Sequence, residues 1–143
     1  MDSISWLHWA LLSAVFAALT AILAKAGLAQ VDADAAMWVR TLVITAAMTA
    51  FVLVTGKIGH AAGLSARTLA LLAASGLATG ASWMCYFRAL KLGEASKVAP
   101  IDKLSVVLVA VAAFVFLGER PTSREWLGIA MVGAGVVILS LKR

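Results

Sequence analysis

Apolar residues in this chain come in five long runs, with neither the alternation of a half-buried strand nor the one-sided stripe of a helix lying on a soluble core. The runs extend from about Trp6 to Ala26, Ala35 to Thr55, Ala66 to Leu92, Lys97 to Leu117 and Ser123 to Leu141. Each is close to the ~20 residues an α-helix needs to cross about 30 Å of hydrocarbon at 1.5 Å per residue. A helix that is apolar nearly all round has lipid as its solvent. The pattern predicts an all-α integral membrane protein: one domain over 1–143, with transmembrane helices at about 6–26, 35–55, 66–92, 97–117 and 123–141. Breaks between the runs carry helix punctuation. Asp34 and Ser65 are candidate caps for the second and third helices, and Thr122 with Glu125 forms a capping box for the fifth. Gly27, Gly56, Gly93 and Gly118 stand where helices should stop.

The fourth run poses a problem, because "KVAPIDKLSVVLVAVAAFVFLG" carries Asp102 and Lys103 side by side just after Pro100. The stretch Leu104–Leu117 alone is about fourteen residues, or roughly 21 Å of helix, too short to cross. Proline is tolerated in a first turn, where its missing N–H costs little. The helix is therefore expected to start near Ser96 to Pro100, with both charges at its membrane entry. Neighbouring helix positions point about 100° apart. That spacing predicts a structural Asp102, capping the helix start or pairing with Arg88 or Lys25, and a Lys103 that reaches a cavity mouth or the headgroups.

Composition agrees with the runs. Hydrophobic residues make up 63% of the 143 positions and charged residues 13%, about half the charged fraction of a soluble domain. The net charge of +5 does not point to nucleic acid, since no loop is long enough for a basic patch interleaved with aromatics. Cys85 is alone in an apolar run, so it offers neither a disulfide nor a metal cluster within one chain. His8 and His60 lie far apart along the spans, and no nucleophile–base or metal-ligand constellation stands out. The expectation is a protein that is not an enzyme, with no cofactor and no metal. The start "MDSIS" lacks the positive region of a signal peptide, and the first run is read as a span despite Ala24-Lys25-Ala26. Trp6, Trp9, Met37, Trp38 and Trp126 sit near span ends, where amphipathic rings favour the interface.

Polar residues inside the runs fall on lines. Ser13, Thr20 and the small residues Ala17, Ala24 and Gly27 share a face of the first helix; Thr41, Thr45 and Thr49 share one of the second. Ser75, Thr79, Ser82 and Tyr86 line the third, with Gly76, Gly80, Trp83 and Phe87 beside them, and Asp102 and Ser105 share a face of the fourth. Gly76-x-x-x-Gly80 also matches a helix-packing motif. The fifth helix offers Ala130 and Ala134 but nothing polar before Ser140. Four helices around a polar centre, with the fifth as scaffold or dimer contact, is the arrangement this predicts.

Counting Lys and Arg by membrane side gives four (Lys57, Arg67, Arg120, Arg124) against eight (Lys25, Arg40, Arg88, Lys91, Lys97, Lys103, Lys142, Arg143), together the 12 of the chain. Lys25, Arg40, Arg88 and Lys103 fall inside or at the lip of a span, where charge is expensive and marks a cavity, a partner or a pathway. Without them the sides balance, and the positive-inside rule assigns no single orientation.

The segments "WALLSAVFAALTAILAKAGL", "VDADAAMWVRTLV", "CYFRALKLGEASKVAPIDKLSVVLV" and "FLGERPTSREWLGIAMVGAGVVIL" together resemble one EamA domain, the repeat unit of the drug/metabolite transporter superfamily. The resemblance implies a five-helix repeat of a kind that usually occurs twice in a chain, inverted, with the first four helices of each lining a substrate cavity. A single repeat then implies assembly with a second copy, most simply an antiparallel homodimer of ten helices in the bacterial or archaeal cytoplasmic membrane. The implied activity is alternating-access secondary transport of small metabolites, with basic mouths favouring anionic or zwitterionic solutes. The alternatives are an accessory half of a heterodimeric flippase, or a small-multidrug-type cation exporter, which the absence of an acid in the first helix disfavours. Cavity candidates are Thr20, Lys25, Arg40, Thr45, Thr79, Ser82, Trp83, Tyr86, Arg88, Asp102, Lys103 and Ser105; Gly76, Gly80, Ala130 and Ala134 are packing or dimer candidates. Membrane lipid, a small-molecule substrate and a second copy are the expected partners.

Overall fold

The computed structural model describes residues 3–141, so Lys142 and Arg143, counted above on one membrane side, lie outside the described residues. Helices α1 (Ser3–Gly27), α2 (Ala33–Val54), α3 (Ile58–Ala62), α4 (Ala66–Leu92), α5 (Ala95–Asp102), α6 (Leu104–Ala112) and α7 (Ser123–Ser140) follow in order, with a π-helical turn at Ala113–Leu117 after α6. No strand occurs among the described residues. Five segments are long and apolar enough to cross a membrane: Trp6–Gly27, Ala33–Val54, Ala66–Leu92, Ala95–Leu117 and Ser123–Ser140. This is an integral membrane protein. In keeping with a lipid solvent, side chains such as Leu77 (78% exposed) and Phe116 (83%) point away from the protein.

The helices gather into two compact units, Leu23–Leu92 and the chain on either side of it. In the first, α2 packs against α4. Asp32, not Asp34, caps α2: its Oδ1 accepts the backbone N–H groups of Asp34 and Ala35, each at 3.0 Å. The helix thus starts earlier than Asp34 suggests and frees that carboxylate for another contact. At the far end Thr55 donates its hydroxyl to the Phe51 carbonyl, and Gly56 takes the left-handed conformation (φ 66°) that turns the chain. The Ser65 hydroxyl accepts the Thr68 N–H at the start of α4.

In the second unit α7 packs along both α5 and α6. Val107 of α6 seats over Gly133, where an added Cβ would come within 3.3 Å of its Cγ2. Gly76 and Gly80 have no such neighbour within 4 Å. The fourth span is not one α-helix. Glu94 is the N-cap of α5, which places Pro100 inside the helix. Without an N–H, Pro100 leaves the Ser96 carbonyl unbonded in the ladder, and the helix breaks soon after. Lys103 donates its N–H to Pro100 O and Val106 donates to Lys103 O, both at 3.0 Å. These short i,i+3 links leave the Asp102 carbonyl to the Ser105 hydroxyl at 2.8 Å. Gly118 (φ 69°) closes the span, with the Glu119 N–H bonded to Ala113 O. The capping box then starts α7: Glu125 Oε2 accepts the Thr122 N–H at 2.6 Å, and the Thr122 hydroxyl accepts the Glu125 N–H at 3.4 Å.

Substitutions at two positions test this boundary. Gly118→Ala forces a Cβ into left-handed backbone and should cost about 1–2 kcal/mol, while Gly118→Asn costs less. Thr122→Ala removes a cap and should cost about 1 kcal/mol. Thermal unfolding in one detergent measures both; equal stability of Gly118→Ala and Gly118→Asn would show that backbone strain is not the controlling factor.

Candidate functional site

The termini of transmembrane helices leave carbonyls without intrahelical partners, and lipid supplies none. In the unit Leu23–Leu92 two lysines solve this for each other's helices. Lys25, in the last turn of α1, donates from Nζ to Leu90 O near the end of α4 at 2.7 Å. Lys91, in the last turn of α4, donates to Leu28 O at 2.7 Å and Val31 O at 2.9 Å, just beyond α1. A cation beside a helix C-terminus also complements the macrodipole. Under this lattice Leu28 and Leu90 are fully buried.

Arg88, three residues before Lys91, makes a two-pronged contact with Asp34: Nε to Oδ1 at 3.1 Å and Nη2 to Oδ2 at 2.8 Å. This carboxylate, freed because Asp32 takes the cap, ties the start of α2 to the end of α4. Arg88 therefore pairs with Asp34, and Lys25 donates to a carbonyl.

Arg40 has different company. Its guanidinium lies over the Trp83 ring at 4.3 Å from the centroid and near the Phe87 ring at 5.3 Å. The ion pairs among the described residues are Arg88–Asp34, Lys97–Glu94 and Lys103–Asp102, and Arg40 belongs to none. Two aromatic faces of α4 hold a half-buried guanidinium from α2. Tyr86, beside Phe87, is half-buried on α4; Thr45, Thr79 and Ser82 are exposed on α2 and α4. Thr79 donates to Ser75 O at 2.9 Å and Thr41 to Met37 O at 2.8 Å, so these hydroxyls are satisfied inside their own helices.

The other unit holds Thr20, Asp102, Lys103 and Ser105. Lys103 Nζ meets the Asp102 carboxylate at 3.3 Å, so the adjacent charges do pair. The helix break is the reason: Lys103 lies at ψ −3°, between two helices, and the regular 100° offset does not govern its direction. Ser105 serves the Asp102 carbonyl and not its carboxylate. Sequence reasoning left Lys91 and Phe87 out of the site candidates and missed the pairing role of Asp34. Lys91 carries no local signal, because its partners lie sixty or more residues away; an aromatic four positions from Trp83 on the same helix was the available clue to Phe87.

Five spans define a membrane protein, and comparison with known proteins agrees with the resemblance that the sequence motifs carry. The model of the EamA-like transporter family matches residues 4–141, across both units. The chain belongs to the EamA-like transporter family. It is 53% identical over 137 residues to an uncharacterized transporter encoded in the cobO 3' region of a Sinorhizobium species, covering 96% of this chain and 97% of that protein. It is also 34% identical over 73 residues to the probable 4-amino-4-deoxy-L-arabinose-phosphoundecaprenol flippase subunit ArnE of Yersinia pestis, covering 51% of this chain and 64% of that subunit. No solved structure matches the chain.

Lys91→Met should destabilise the protein by about 1–3 kcal/mol, the usual consequence of leaving acceptors of a charged hydrogen bond unsatisfied. Lys91→Arg should retain much of that stability. Unfolding in detergent reads both, and a fully stable Lys91→Met would show that the carbonyls of the turn after α1 find other partners.

Proposed function

We propose that this chain is a secondary transporter of small metabolites that favours anionic or zwitterionic solutes. It works by alternating access as an antiparallel pair of copies in the cytoplasmic membrane of a prokaryote. The observation that carries this reading is Arg40: a cation within a membrane span, held on the rings of Trp83 and Phe87 and outside the ion pairs of the described residues. Such a guanidinium keeps its full charge and in-plane N–H donors for an incoming carboxylate or phosphate. Lys25, Lys91 and Arg88 are committed to helix-end carbonyls and to Asp34, so solute selectivity rests on Arg40 more than on the count of basic residues. Thr45, Ser82 and Tyr86, on the same two helices, are the remaining polar candidates. Gly76, Gly80, Ala130 and Ala134 are contact candidates toward a second copy.

Similarity to a flippase subunit supports a second reading, in which the chain is one part of a flippase with a different partner. Flux into liposomes containing only the purified protein separates the two: a complete transporter moves solute alone, whereas a subunit awaiting its partner does not.

Arg40→Gln should abolish uptake of anionic solutes while leaving the fold intact, and Arg40→Lys should keep part of it. Equal transport by wild type and Arg40→Gln would remove Arg40 from the pathway. The antiparallel pairing is tested with Cys85→Ala carrying Lys57→Cys or Glu94→Cys. Each thiol should react with an impermeant reagent from both faces of the membrane, and strictly one-sided labelling would overturn dual orientation.

A further inference from the structure

Between α6 and α7 lies an open cleft of about 780 Å³. Val106, Val109, Ala113, Ile129 and Val132 form its apolar walls, with Trp6 also in its lining. Glu119 and Arg120 belong to the same lining, and they lie between the spans ending at Leu117 and starting at Ser123, hence at the membrane boundary. Left-handed Gly118 turns the chain immediately before them. Their side chains are exposed, and neither takes part in an ion pair among the described residues. Glu125, also in the lining, has its Oε2 occupied by the Thr122 N–H and hydroxyl. The cleft therefore has an apolar body and, at one end, one free anion next to one free cation.

We propose that this cleft binds a phospholipid of the surrounding bilayer whose head carries both a phosphate and a primary ammonium, as in phosphatidylethanolamine. An acyl chain lies along the apolar walls. Arg120 donates to the phosphate, for which a planar guanidinium is well matched, and the Glu119 carboxylate accepts from the ammonium, which has three N–H donors. Charge complementarity selects this head: a purely anionic lipid leaves Glu119 opposed to like charge, and a trimethylated ammonium has no N–H to donate. The lipid would support the junction of the fourth and fifth spans. The proposal concerns the unit outside Leu23–Leu92 and stands independently of the Arg40 pathway.

The test is native mass spectrometry of the full-length protein released from nanodiscs containing equal parts phosphatidylethanolamine, phosphatidylcholine and phosphatidylglycerol. Wild type should retain phosphatidylethanolamine preferentially. Glu119→Gln should reduce the preference over phosphatidylcholine about tenfold, the effect of one charge-assisted hydrogen bond. Arg120→Gln should lower retention of all three lipids. Gly128→Leu fills the cleft from α7 at a position where an added Cβ meets nothing within 4 Å, and it should abolish retention without unfolding the helix. An unchanged lipid preference in Glu119→Gln would overturn the proposal. So would Gly128→Leu that keeps its lipid, or that instead dissociates paired copies, since the cleft would then be filled by protein.

Discussion

A chain that turns in or near lipid must dispose of its free carbonyls, and Lys25 and Lys91 do so for the end of α4 and for the turn that follows α1. Each lysine leaves the last turn of its own helix and serves the end of the other. The arrangement holds the last residues of α1 level with the last turn of α4. Leu28 and Leu90, beside the bonded carbonyls, can then be buried as a pair. The Arg88–Asp34 contact adds the start of α2 to the same end. Cations that look like bait for a solute are thus largely the means by which three helix ends are held.

Arg40 stands out against that background. Aromatic faces attract a guanidinium without neutralising it, and they leave its edge donors available. Ion pairing would have been the tighter restraint, but Asp34, six positions before Arg40, does not share its face of α2, and its carboxylate is taken by Arg88. The local division of labour therefore begins with Asp32, which caps α2 and releases Asp34 to Arg88. Arg40 is left to Trp83 and Phe87.

Much of the fold was legible because composition alone identifies five segments that need lipid, and because Ser65, Gly118 and the Thr122–Glu125 box act within a few residues of themselves. The family was legible for the same reason: its motifs are contiguous. What could not be read was anything fixed by tertiary contact or by a break in periodicity. Lys25 reaches a carbonyl 65 positions away, and no local pattern encodes that. Asp102 and Lys103 looked divergent only while the helix was assumed regular through them. Pro100 in the second turn, not the first, removes the regularity and lets them meet. Gly133, which receives Val107, is one of several glycines in α7 with no spacing to single it out, whereas a Cβ added at the conspicuous Gly76 or Gly80 would meet nothing within 4 Å.

Lines of Ser and Thr are weaker evidence for a polar pathway than they look in sequence. Thr41 and Thr79 donate to carbonyls one turn back in their own helices, an option open to any hydroxyl on any helix. A hydroxyl so engaged is compatible with lipid, with packing or with water, and its position does not discriminate among them. A charge does discriminate, because its desolvation is too costly to leave without a reason. Sorting the embedded cations by what they touch removes Lys25 and Arg88 as helix-end ties and Lys103 as the partner of Asp102. Arg40 remains as the cation whose neighbours explain its position without using its hydrogen-bond donors, and a solute oxygen is the chemistry that would use them.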